Sequence, residues 1–99
     1  MKKLVVLLAL AAASAFAAEV NGFIADSNCG AKHAAGTAAD AKCSQGCIKK
    51  GAAAVLVTKD GTVYKIADDS QAKAKAFAGK TVSVNGSVEG DTLTISSIQ

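Results

Sequence analysis

The chain has 99 residues, with eleven lysines, no arginine, eight acids and a formal net charge of +3. That length holds one domain. Without Lys2 and Lys3, nine lysines face eight acids, and a near-neutral surface with no arginine to grip phosphates argues against nucleic acid or an anionic membrane as partner.

Met1-Lys2-Lys3 gives a positive start, Leu4 to Ala13 is apolar without a break, and Ser14-Ala15-Phe16-Ala17 puts small residues at Ala15 and Ala17. This is the order of a secretory signal cut after Ala17. The uncharged run ends at Glu19, short of the roughly 20 residues that span a bilayer. The expectation is a signal at 1–17 and one exported domain at 18–99, periplasmic or secreted, with no transmembrane segment in the mature chain. Its aromatics are Phe23, Tyr64 and Phe77. So small a core commonly needs a disulfide or a metal to hold it.

Val20 to Ala25 reads as the first strand, with Gly22 as a bulge. Residues 26–39, rich in Gly, Ala, Ser and Asn, read as an irregular or loosely helical loop. Asp40 to Lys50 reads as a short helix capped by Asp40 and stopped by Gly51. Ala53 to Thr58 is a compact apolar strand, Lys59-Asp60-Gly61 a hairpin turn, and Thr62 to Ile66 the returning strand. A second helix is expected from Asp68 to about Ala78, stopped by Gly79, with Ala74, Phe77 and Ala78 on its apolar face. Val82, Val84, Gly86 and Val88 alternate with polar residues along the fourth strand, where Gly86 reads as a bulge. Thr92 to Ile98 is the last strand. Strand, insert, strand, strand, helix, strand, strand is the order of a mainly β, five-stranded OB-like barrel. One helix lies between strands 3 and 4, and a Cys-rich helical insert (26–51) follows strand 1. An open antiparallel α+β sheet has the same elements.

The chemistry gathers in the insert. Cys29-Gly30-Ala31-Lys32-His33 is C-x3-H, and Cys43-Ser44-Gln45-Gly46-Cys47 is C-x3-C. Residues four apart share a helix face, so each pair can present two donors together. Three thiolates and an imidazole from Cys29, His33, Cys43 and Cys47 make a tetrahedral set for Zn²⁺, or a soft site for Cu(I). Asp26 could orient His33, although an Asx turn starting the loop explains it more simply. Oxidising compartments favour the competing reading, a disulfide of Cys29 with Cys43 or Cys47 that leaves one free thiol. The disulfide is the expected resting state there, metal binding the more specific functional reading, and the two could alternate.

The segments Gly22-Phe23-Ile24-Ala25-Asp26-Ser27-Asn28-Cys29-Gly30-Ala31-Lys32-His33 and Cys43-Ser44-Gln45-Gly46-Cys47-Ile48-Lys49-Lys50-Gly51-Ala52, followed by Phe77-Ala78-Gly79-Lys80-Thr81-Val82, resemble an uncharacterised family of small secreted bacterial domains. Its motif is D-x-x-C-G-x-x-H…C-x3-C-x3-G. The resemblance implies an exported OB-like protein and no activity.

Other chemistries find little support. One histidine and strand-face hydroxyls do not make a hydrolytic triad. A thiol oxidoreductase would be expected to carry C-x-x-C. The sequence therefore predicts a non-enzymatic exported domain that binds Zn or Cu(I). The alternative is a disulfide-stapled binding or envelope-structural module, whose partner would be an unknown small ligand or an envelope protein.

Overall fold

The computed structural model describes residues 15–99. The basic start and the whole apolar stretch of the predicted signal, Leu4 to Ala13, lie outside the described residues. Ala15-Phe16-Ala17 are described, and they open the first strand.

That strand, β1 (Ala15–Asp26), is longer than the sequence suggested. It is shared between two neighbours. From Ala15↔Glu89 to Phe23↔Thr81 it runs antiparallel to β4 (Thr81–Glu89). From Phe23↔Val57 to Asp26↔Ala54 it pairs with β2 (Ala54–Val57). One strand passing from one partner to another closes a short sheet on itself. β2 turns at Gly61, which has φ +90°, into β3 (Val63–Ile66). β3 lies parallel to β5 (Thr92–Ile98), and β5 pairs back onto β4. The closed order β1-β2-β3-β5-β4 is that of a small OB-like barrel, not of an open sheet.

Two glycines make this curvature feasible in different ways. The β4–β5 register slips between Asn85 and Gly86, which is the predicted bulge. A side chain at Gly86 would collide with the Thr94 carbonyl. At Gly22 the predicted bulge is absent, because the β1–β4 register runs unbroken through it. Gly22 is needed for close approach instead. A Cβ there would stand 2.6 Å from both Leu56 Cδ2 and the Val57 carbonyl oxygen.

The barrel interior is filled by Val20, Ile24, Leu56, Ile66, Val82, Val84, Val88, Leu93 and Ile95. Phe23, Ala25, Val55 and Val57 point the other way, yet are also buried. They form a second cluster beneath Ala34 and Ala41 of the insert. β2 is apolar on both faces for this reason: one face packs inside the barrel and the other under the insert.

The insert helix, α1 (Ala38–Lys49), starts before the predicted Asp40. Thr37 is its N-cap, with Asp40 three residues on completing a capping box. At the other end Gly51 takes φ +108°. There its N–H donates to the Ile48 carbonyl, and the Ala52 N–H to that of Cys47, so the helix stops as the sequence predicted.

The second helix is shorter than expected. Asp68–Ser70 form a 3-10 turn and only Gln71–Lys75 are α-helical (α2). Side chains tie this segment to the barrel. Ser70 Oγ accepts from the Ile95 N–H at 2.9 Å. Gln71 accepts from the Ala54 N–H and donates to the Ala54 and Ile66 carbonyls. Beyond it the Gly79 N–H donates to the Ile24 carbonyl, which draws the chain into β4 after little more than one helical turn.

Candidate metal centre

Asp26 is the last residue of β1 and is fully buried where the insert begins. A bare buried carboxylate is costly, so its oxygens need partners. Its Oδ2 accepts from the Cys29 N–H at 3.0 Å, forming the expected loop-initiating turn. A 3-10 helix, Gly30–His33, then brings His33 back over Asp26. His33 Nε2 lies 3.1 Å from Asp26 Oδ1, and Nδ1 lies 2.8 Å from Asp40 Oδ1.

Histidine is thus buried between two carboxylates. A neutral imidazole has one N–H, whereas the imidazolium can donate to both acids. Asp40 is held in turn by the helix cap. Its Oδ2 accepts from the Thr37 N–H at 2.9 Å, while its own N–H donates to Thr37 Oγ1. The Thr37 N–H first, and His33 second, hold the Asp40 carboxyl below the usual carboxylate range.

Donor atoms from Asp26, Cys29, His33 and Cys43 all lie within 4.8 Å of one another. They come from three pieces of structure: the end of β1, the 3-10 segment and α1. The cluster is graded from inside to outside. Asp26 and His33 are buried, Cys29 is half-buried and Cys43 is exposed. Such a group of acid, thiol and imidazole could hold a metal ion. Three of the four ligands predicted from sequence are brought together. Cys47, the fourth, is outside this group, one turn further along α1 and half-buried. Asp26 stands with the donors, besides contacting His33 as expected.

The predicted disulfide of Cys29 with Cys43 or Cys47 is not formed, and all three cysteines are free. Cys29 and Cys43 are nevertheless neighbours, their sulfurs inside the same 4.8 Å group. The Cys43 thiol is pushed above its ordinary value by partial desolvation, then by the nearby Cys47 and Cys29 thiols and by Asp26. Forming the Cys43 thiolate is thus disfavoured among these neighbours, and a bound cation would offset that.

Residues 45–99 match the family model described as protein of unknown function (DUF5818). The chain belongs to that family. The match takes in the barrel from β2 onward and Cys47, and begins after Asp26, Cys29, His33, Asp40 and Cys43. No curated protein and no solved structure matches the chain.

Asp40 is the site residue that sequence reasoning missed. Its signal was present: Thr37-Ala38-Ala39-Asp40 has the [ST]-x-x-[DE] spacing of a capping box. That spacing puts the acid in the first turn, and only the fold shows that the same carboxylate reaches His33.

Proposed function

We propose that this is a small exported, non-enzymatic domain that binds one borderline divalent ion, best matched by zinc, through Asp26, Cys29, His33 and Cys43. The observation that carries the reading is the convergence of four different donors within 4.8 Å of one another at the seam between barrel and insert. Two thiolates, one imidazole and one carboxylate suit zinc. Soft thiolates would also suit copper(I), but a carboxylate in the set makes it the poorer match.

His33 would bind through Nε2, where an ion takes over from the proton shared with Asp26. Asp40 would stay on Nδ1 and hold the ring, the usual carboxylate–histidine–metal arrangement. Four protein ligands close a site, so the ion would serve structure, storage or transfer.

Native mass spectrometry of the purified protein titrated with zinc tests this. One ion per chain is expected, lost from the His33→Ala and Asp26→Ala variants. A chain that stays metal-free in reducing buffer, or that retains the ion in both variants, overturns the reading.

The proximity of Cys29 and Cys43 supports a second reading in oxidising conditions, a disulfide between them in place of the ion. An intact mass two hydrogens lighter, with Cys47 alone open to alkylation, is its expected signature.

A further inference from the structure

β1 changes partners at Phe23, which is paired with Thr81 of β4 on one side and with Val57 of β2 on the other. The antiparallel register past Phe23↔Val57 sets Gly22 and Asn21 beside the start of the Lys59-Asp60-Gly61 turn, but pairing with β2 ends there. A cavity of about 330 Å³ opens at this place, at the small end of the range that holds small molecules. Phe23 and Val57, 4% and 1% exposed, give it an apolar floor. Its walls are small: Gly22, Ala34, Ala35 and Gly36. Gly36 has φ +60°, and a Cβ on it would stand 3.1 Å from the Phe23 ring, so the chain passes over that ring without filling the space.

The lining carries one charged side chain, Lys59, and no acid. The acid next to it, Asp60, is engaged within its own turn, where it accepts from Thr58 Oγ1 and the Thr62 N–H. Lys59 has no ion pair among the described residues. The side chains of Asn21 and Thr81, also in the lining, have no hydrogen-bond partner there either. An apolar floor with a few converging polar groups is the usual make-up of a small-molecule site.

We propose that this cavity binds a small organic carboxylate with an apolar body. The body lies on the Phe23 ring, and the carboxylate meets the Lys59 ammonium, with Asn21 and Thr81 as further donors. Lys59 is exposed, so the cation stays hydrated until the ligand arrives and little desolvation opposes binding. The enclosed apolar part supplies most of the affinity, while Lys59 selects an anion over a neutral molecule of the same shape. The proposal is independent of the metal-binding reading.

The probe is benzoate, titrated into the isotope-labelled chain and followed by amide NMR shifts. Saturable shifts centred on Gly22, Ala34, Gly36 and Lys59 are expected, with a dissociation constant in the millimolar range. Benzyl alcohol, which keeps the ring without the charge, is expected to bind about fivefold more weakly. Lys59→Gln, a change at an exposed position, should bring benzoate down to the same level with the rest of the spectrum unmoved. Acetate, the charge without the ring, should not saturate. Absent shifts, shifts centred elsewhere, equal binding of benzyl alcohol, or unchanged benzoate binding in Lys59→Gln would each overturn the proposal. Tighter binding of a short peptide ending in phenylalanine would give the cavity to a protein terminus and overturn the assignment to a small molecule.

Discussion

Asp40 joins two functions in one carboxylate: it caps α1 and it holds His33. Its lowered pKa gives a pH dependence of definite sign. A group whose pKa is lower folded than unfolded adds stability above its unfolded value, about 3.9 for aspartate, and loses it as pH falls through the folded value. Asp40→Asn should thus be clearly less stable than wild type near pH 6, and the gap should close as pH falls below about 4. Urea melts across that range check it, and a gap independent of pH would contradict the role. Ser44 makes the opposite case. It is fully buried on α1, and among the described residues nothing hydrogen-bonds its hydroxyl. Removing such an orphan is expected to be neutral or stabilising by up to about 1 kcal/mol in Ser44→Ala, measured by denaturant midpoint. At this scale the sequence displayed the donor types and their spacing. What it could not display was the choice of Asp26 over Cys47 among the converging donors, because that depends on how the end of β1 meets the insert.

Among the elements, α2 is held by side-chain hydrogen bonds more than by its own length. Gln71 serves both backbone groups of Ala54, standing in for a neighbouring strand at the edge of β2. Gln71→Ala strips partners from a buried backbone N–H, so a loss of about 1–3 kcal/mol is expected in equilibrium unfolding. A change below a few tenths of that would mean that the edge is satisfied in another way. The strands were readable because local signals agree with the fold. The Lys59-Asp60-Gly61 turn, the alternation of Val82, Val84 and Val88, and the last strand Thr92–Ile98 all follow from period and turn chemistry. Misreadings fell where tertiary contacts decide. Gly22 is required by Leu56 and Val57 from a neighbouring strand, and α2 is cut short by bonds to Ile95 and Ile24, none of which leaves a local trace.

For the whole molecule, the proposed ion would join β1 to the insert, binding the barrel to the helix that covers its second apolar cluster. Folding and metal binding are then linked. Zinc at about a hundred times its dissociation constant should add about 2.7 kcal/mol, seen as a rise in melting temperature that a chelator reverses. Melting indifferent to zinc would separate the site from the fold. The barrel order was legible because five strands and one crossover helix leave few ways to close. The centre was legible only as a set of residues, since its geometry arises from the folding of residues 26–51 back onto the strands.

The most direct test of the account is X-ray absorption at the zinc edge of the loaded protein. Two sulfurs near 2.3 Å and two nitrogen or oxygen donors near 2.0–2.2 Å are expected, the shell that Asp26, Cys29, His33 and Cys43 would supply. A shell of three sulfurs would place Cys47 on the ion in place of Asp26, and a shell without sulfur would contradict the account outright.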